Sequence, residues 1–185
     1  MLTIYQRQEK LKFLGFYTGA LDGIEGVLTR KAYKLLQDTY FTRAVDKDGI
    51  YGNDTERLLI NAYNVKMYTK NFTLDEFKCE CNGLCTGYPA ILDIELLANV
   101  QKVRNKFGAT TITSGLRCKR YNDSLAGSSA TSRHMNGKAL DIYNSKTRTK
   151  DGRTIVKNFV SSLPEHNYTY SDTVGMGNAV HFDVK

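Results

Sequence analysis

Residues 132–143 read SRHMNGKALDIY, a stretch that places a histidine just before a glycine turn and an aspartate just after it. Side chains of a strand alternate between two faces, so Ala139 to Tyr143 is predicted to be a short strand with Asp141 opposite its aliphatic residues. The final segment, Val180 to Val184, alternates in the same way and sets His181 on one face. If the two strands are neighbours, Asp141 and His181 can face each other with their Cβ atoms roughly 5 Å apart.

His134, Asp141 and His181 together form a predicted metal site. Two imidazoles and one carboxylate can bind zinc and leave its fourth tetrahedral position open, as a hydrolytic site requires. Either short motif alone, His-x6-Asp or His-x-Asp, is more often a surface hydrogen bond than a metal site. The prediction therefore requires that all three residues come together.

Asp183 lies two residues beyond His181 on the same predicted face, roughly 7 Å along the strand. Its carboxylate can take the proton of the attacking water during hydrolysis. It can equally support the imidazole of His181, because carboxylates commonly orient metal-binding histidines. The sequence leaves both roles open, and we expect Asp183→Asn to retain zinc and lose most turnover.

Arg117 follows a short β-branched segment, Thr110 to Ser114, that is predicted to be a strand. Its planar guanidinium can pair bidentately with a carboxylate, such as one carried by a peptide substrate. A salt bridge to a surface acid is the alternative. Arg117 is therefore a candidate for substrate binding or for polarising a carbonyl group.

Length and composition indicate a globular protein. The 185 residues are 41% hydrophobic and 24% charged, and they allow one medium domain or two small ones. The net charge of +7 favours anionic partners such as a cell wall or nucleic acid. Because the basic residues are scattered and form no stripe, we expect the wall and no nucleic acid.

Targeting signals are missing from the sequence. No apolar run approaches the roughly 20 residues of a membrane-spanning helix, and the first residues lack the pattern of a signal peptide. We therefore expect no membrane insertion and synthesis in the cytoplasm.

Four cysteines stand at Cys79, Cys81, Cys85 and Cys118. Four thiolates can hold a structural zinc, but Cys-x-Cys-x3-Cys departs from the usual paired Cys-x2-Cys spacing. Reduced, buried thiols and a disulfide are equally open. We expect one catalytic zinc, and a second structural zinc is the less favoured alternative.

An internal repeat organises the first third of the chain: DGIEGVLT at residues 22–29 recurs as DGIYGNDT at residues 48–55. In each copy the glycines suit a turn and the polar residues after them can cap the next helix. Apolar spacing predicts helices over residues 6–14, 29–40 and 54–63. Residues 1–66 are therefore predicted to form a three-helix module.

A short polar connection, residues 67–71, leads to a predicted α+β domain over residues 72–185. Thr73 to Glu76 has the spacing of a helix-capping box. Further helices are predicted over residues 93–107, 119–125 and 154–163, and strands over 110–114, 139–143, 168–170 and 180–184. Residues 144–152 are predicted to be a charged loop, and His166 a solvated turn residue.

Three motifs, in this order, resemble the zinc D-alanyl-D-alanine carboxypeptidases and their phage-lysin relatives. They are TSGLR at residues 113–117, Ser-x-His-x2-Gly-x-Ala-x-Asp at residues 132–141, and Val-His-x-Asp-Val at residues 180–184. The resemblance runs from about Phe72 to the last residue. It implies an α+β zinc peptidase domain with a central antiparallel sheet. It also implies one catalytic Zn²⁺ on His134, Asp141 and His181, catalytic roles for Asp183 and Arg117, and substrate binding by Arg117 and Ser132.

The sequence departs from several of these relatives at one position. Where they carry an acid three residues before the last histidine ligand, this chain has Asn178, which cannot act as a base. Asp183, Glu165 or another carboxylate must then take that role.

Residues from about 3 to 65 resemble the peptidoglycan-binding module of many wall hydrolases. Together the two resemblances imply a monomeric endolysin that acts on the bacterial cell wall after release. Its expected activity is a zinc peptidase cutting stem or cross-bridge peptides, as a D,D-carboxypeptidase or an L-Ala-D-Glu endopeptidase. The alternative is a non-catalytic wall-binding protein with a vestigial metal site.

Overall fold

The computed structural model describes residues 1–185 as six helices and one four-stranded sheet. The helices are α1 (Ile4–Leu14), α2 (Val27–Tyr40), α3 (Asn53–Tyr68), α4 (Ile94–Phe107), α5 (Lys119–Ser124) and α6 (Lys150–Ser161). The strands are β1 (Thr110–Ser114), β2 (Ala139–Asn144), β3 (His166–Ser171) and β4 (Val180–Val184). The α+β class predicted from the sequence is confirmed. None of the six helices combines the length and apolar character needed to cross a lipid bilayer.

Buried glutamine side chains close the two repeated turns between helices α1, α2 and α3. The Gln8 amide nitrogen lies 2.7, 3.1 and 3.2 Å from the aspartate carboxylate, the isoleucine carbonyl and the threonine hydroxyl of residues 22–29. Gln37 makes the same three contacts with residues 48–55, at 3.2, 2.9 and 2.9 Å. The repeat in the sequence is therefore a repeat of local structure, because each copy satisfies one fully buried amide.

Helix α3 joins the helical part of the chain to the part that carries the sheet. It extends to Tyr68 and so takes in the first two residues of the predicted connection. Its buried Asn61 donates to the carbonyl of Ala90 at 2.9 Å and accepts from the backbone N–H of Leu92 at 2.8 Å. A single cluster of buried apolar residues spans both parts of the chain. The helical part is therefore packed directly against the rest of the chain.

The sheet is antiparallel throughout, with the strand order β1-β2-β4-β3. Strands β2 and β4 are neighbours, and their register sets Asp141 directly opposite His181, as the alternation of side chains predicted. Helices α4 and α6 pack against the strands. The two strands that carry the predicted metal ligands are thus the central pair of the sheet.

Two local predictions are wrong. Helix α6 begins at Lys150, inside the predicted charged loop, because the Thr149 hydroxyl accepts the backbone N–H of Gly152 at 3.1 Å and caps the helix. A glycine is required there, since a Cβ on Gly152 would overlap the carbonyl oxygen of Lys146. His166 begins strand β3 and does not lie in a solvated turn: its Nε2 is buried.

The segment after Thr73 forms a 3-10 turn, Leu74–Phe77, in place of an α-helix. The predicted capping box is present, with reciprocal hydrogen bonds between Thr73 and Glu76. The turn leads directly into residues 78–93, which contain no helix or strand.

Candidate metal centre and its cavity

His134, Asp141 and His181 converge from three separate elements. His134 lies on a short 3-10 turn, Arg133–Asn136, Asp141 on β2 and His181 on β4. One potential ligand atom of each lies within 4.8 Å of the others, and all three residues are buried. The structure therefore brings together the three residues that the sequence predicts as metal ligands.

Hydrogen bonds fix the orientation of both imidazoles. His134 Nδ1 lies 2.7 Å from the carbonyl oxygen of Gly115, so Nδ1 carries the proton and Nε2 keeps its lone pair. His181 Nε2 lies 3.2 Å from Asp183 Oδ2, which leaves His181 Nδ1 for a second partner. Each imidazole thus turns a nitrogen lone pair toward Asp141.

The donor atoms fit a bound cation. His181 Nδ1 lies 2.8 Å from Asp141 Oδ1 and 3.3 Å from His134 Nε2. His134 Nε2 lies 3.5 Å from Asp141 Oδ1. Three hydrogen-bond acceptors this close repel one another unless a proton or a metal ion lies among them. Zinc bonds of about 2.0–2.2 Å at tetrahedral angles place ligands roughly 3.3–3.5 Å apart, which is close to two of the three separations.

The ionisation of the cluster reflects its burial and its internal hydrogen bonds. Burial lowers the pKa of His134 below its ordinary value. Burial also opposes ionisation of Asp141, but the adjacent imidazoles of His134 and His181 outweigh it and lower the pKa of that carboxyl group. For His181, hydrogen bonds to Asp141 and Asp183 outweigh burial and raise the pKa. Asp141 is therefore a carboxylate at neutral pH.

Arg117 forms a salt bridge with the second carboxylate oxygen of Asp141. Its Nη2 donates to Asp141 Oδ2 at 2.7 Å, and its Nε donates to the Ser114 hydroxyl at 2.9 Å. Nη1 takes part in neither bond. The guanidinium thus forms a largely buried salt bridge, and its partner is a predicted metal ligand and not a surface acid.

Asp183 lies behind His181, on the side away from Asp141. Its Oδ1 accepts from the Asn167 amide at 2.6 Å and from the backbone N–H of Tyr168 at 3.1 Å, while Oδ2 faces His181. Burial raises its pKa, but the bonds from His181 and Asn167 outweigh that effect and lower it. Of the two roles left open by the sequence, this geometry matches support of the imidazole.

A cavity of about 750 Å³ opens onto the cluster. Its lining includes every residue predicted for the zinc peptidase site: Arg117, Ser132, His134, Asp141, His181 and Asp183. Neither Glu165 nor Asn178 lines it, and Asn178 instead accepts a hydrogen bond from Arg153. The cavity is thus the space in which a substrate can reach the cluster.

Among the cavity residues that the sequence analysis missed, two lie beside the clusters. Tyr170 stacks on the His181 imidazole with ring centroids 4.4 Å apart, and its position on the predicted strand was the available signal. Glu80 is an exposed carboxylate in the cavity lining, next to Cys79 and Cys81. Nothing in the local pattern around Glu80 pointed to this position.

A family model described as Peptidase M15 matches residues 70–173, more than half of the chain. The chain belongs to the peptidase M15 family. This is a family of zinc peptidases, and the matched segment includes Arg117, His134 and Asp141. It ends before β4, so His181 and Asp183 are placed at the site by the sheet pairing alone. No curated protein matches the chain.

Proposed function

We propose that this M15 peptidase uses one zinc ion to hydrolyse peptide bonds in the stem or cross-bridge peptides of bacterial peptidoglycan. The observation that carries the proposal is the convergence of His134, Asp141 and His181 at the base of an open cavity. Three protein ligands beside an open cavity are typical of a catalytic zinc site, in which a fourth position remains for water or substrate.

The residues around the ligands have separate tasks in this proposal. When bound, zinc supplies a Lewis acid that polarises the scissile carbonyl and lowers the pKa of a water molecule. Gly115 and Asp183 orient the two imidazoles through His134 Nδ1 and His181 Nε2. Arg117 holds Asp141 with Nη2, and its Nη1 is available to a substrate carboxylate or carbonyl.

Proton transfer to the leaving amine requires a further group in the cavity. Three carboxylates line it: Glu80, Asp141 and Asp183. Asp141 is a ligand and Asp183 is held by His181 and Asn167, whereas Glu80 is exposed. Asp183 and Glu80 are the two residues to test for this role.

Several features support peptidoglycan as the substrate. The net charge of +7 favours an anionic polymer. Arg117 and Arg133 both line the cavity and suit the carboxylates of stem peptides. Residues 3–65 resemble a wall-binding module and pack directly on the peptidase part. These features also support the endolysin role, in which the enzyme reaches the wall after its release.

The test is the loss of turbidity of purified cell walls, followed by mass spectrometry of the released fragments. We expect lysis that a chelator abolishes and zinc restores, and a new amine terminus at one type of stem or cross-bridge bond. The identity of that bond separates a D,D-carboxypeptidase from an L-Ala-D-Glu endopeptidase.

The alternative, a wall-binding protein with a vestigial site, predicts binding to the same walls without fragments. His181→Ala is the matched control, because it removes one ligand and leaves the helical module unchanged. Wall binding by the native chain without peptide release, with zinc bound, would replace the peptidase proposal by this alternative.

A further inference from the structure

The four cysteines form a second cluster of potential metal ligands, and one of them, Cys118, directly follows Arg117 in the sequence. Their sulfur atoms all lie within 4.8 Å of one another, and the Sγ atoms of Cys81 and Cys85 are 3.4 Å apart. All four are free thiols, and only Cys85 is not buried. Zinc–sulfur bonds of about 2.3 Å at tetrahedral angles place sulfurs roughly 3.8 Å apart, so the spacing suits one ion.

We propose that Cys79, Cys81, Cys85 and Cys118 bind one structural zinc ion as thiolates, separate from the ion at the His134, Asp141 and His181 cluster. Four protein ligands fill the tetrahedral shell, so this site has no position for water or substrate. The proposal does not depend on the peptidase activity.

The backbone around the cysteines is arranged for this role. The N–H of Gly87 points at Cys85 Sγ at 3.3 Å, and the N–H of Cys118 points at Cys79 Sγ at 3.2 Å. Such N–H groups stabilise negative charge on sulfur. Between Cys81 and Cys85, Asn82 and Gly83 both have positive φ, 50° and 83°, which returns the chain tightly enough to bring the two sulfurs together.

The segment that carries three of the cysteines has no regular structure of its own. Residues 78–93 contain no helix or strand, yet Tyr88 and Leu92 belong to the buried core. A segment this long without regular structure is uncommon in a compact domain unless something orders it. Its only two backbone–backbone bonds within the segment join Cys79 to Gly87 at 2.9 Å and Leu84 to Cys81 at 3.2 Å.

The position of the cluster gives the ion a consequence for the cavity. Cys118 directly follows Arg117, and Glu80 lies between Cys79 and Cys81. Both charged residues line the cavity. A zinc ion on the thiolates therefore fixes the backbone beside one basic and one acidic cavity residue.

The test is metal stoichiometry in the full chain, with two matched variants. We expect close to two zinc ions per native chain, one in His181→Ala, and one in the double variant Cys81→Ser with Cys85→Ser. Because the cysteine variant can fail to fold, His181→Ala is also loaded with cobalt. It should show the near-ultraviolet thiolate-to-cobalt charge-transfer band, and its cysteines should react with a thiol reagent only after chelation.

Several results would overturn the proposal. They are one zinc per zinc-saturated native chain that the double cysteine variant retains, folded His181→Ala that binds no metal, and cysteines that titrate freely or as disulfides in metal-loaded protein. Iron in place of zinc, visible as strong colour, would overturn the identity of the ion. None of these readouts uses peptidase activity, so failure of the proposed function leaves this test intact.

Discussion

Residues 115–118 contribute to both clusters: Gly115 and Arg117 contact the ligands His134 and Asp141, and Cys118 belongs to the cysteine cluster. The two clusters differ in ligand number and in access. The first has three ligand groups at the base of an open cavity. The second has four sulfurs, three of them in the irregular segment 78–93 and the fourth on Cys118. Three ligands leave a coordination position for chemistry, whereas four do not. Access and ligand count together therefore separate a site for reaction from a site for folding.

The largest expected effect comes from His181→Ala, which removes a ligand from the open cluster alone. Peptidase activity should fall by about a thousandfold or more, because a catalytic metal contributes several kcal/mol and each 1.4 kcal/mol is about tenfold. Activity on wall fragments and bound zinc are measured together. His166→Ala is the control, since that histidine lies outside the cavity lining. Equal activity in His181→Ala would remove the open cluster from catalysis.

Asp183→Asn tests the support of an imidazole. Loss of the carboxylate that accepts from His181 Nε2 should lower activity or zinc affinity by about 10- to 100-fold. The measurements are kcat and competition for zinc with a chromophoric chelator. Reduced affinity assigns Asp183 to orientation. Full affinity with lost turnover, the outcome expected from the sequence, assigns it to proton transfer. Glu80→Gln provides the comparison, and unchanged hydrolysis in Asp183→Asn would remove Asp183 from the mechanism.

Gly115→Ala tests how tightly the backbone beside His134 packs against the backbone that leads into the cysteine segment. A Cβ there would lie 2.5 Å from the carbonyl oxygen of Phe77, just before the cysteine segment, while the Gly115 carbonyl itself holds His134. We expect a loss of about 1–3 kcal/mol in unfolding free energy, typical of overpacking. Denaturant titration measures it, with Gly52→Ala as the control, since that glycine has an extended backbone and no close neighbours. A neutral result would show that the contact is easily relaxed.

The smallest effect concerns pH in protein stripped of the metal at the open cluster. Hydrogen bonds to Asp141 and Asp183 outweigh burial and raise the pKa of His181, so its stabilising contribution is full below the unfolded value of about 6.5 and is lost as pH rises through the raised value. Asp183→Asn should therefore cost more stability near pH 6 than near pH 8. The thermal midpoints of the stripped native protein and the stripped Asp183→Asn variant, each measured near pH 6 and near pH 8, give this difference. The contribution of His134 is present in both proteins and cancels. An equal cost at both pH values would contradict the raised pKa.

The open cluster was easier to predict from sequence than the cysteine cluster. Side-chain alternation on two short strands sets Asp141 opposite His181 once the strands are neighbours. Alternation gives the face of Asp183 but not its hydrogen-bond partner, which depends on how β3 packs beside β4. The cysteine cluster joins residues 79–85 to Cys118 through the path of the chain, which no local spacing encodes.

The predicted start of helix α6 was wrong because a glycine is compatible with both a loop and a tightly packed helix turn. Gly152 predicts a loop, but here it allows the first turn of α6 to pass the carbonyl of Lys146. That contact depends on the path of the chain between Lys146 and Gly152, which the sequence pattern does not give.

Asn61 has a consequence for how far the enzyme can act. Its two buried hydrogen bonds join helix α3 to residues 90–92, and a common core lies around them. If the helical module binds the polymer as proposed, the catalytic cavity stays at a fixed distance from the bound part of the wall. Cleavage would then be limited to peptides that lie within this distance of the bound part of the wall.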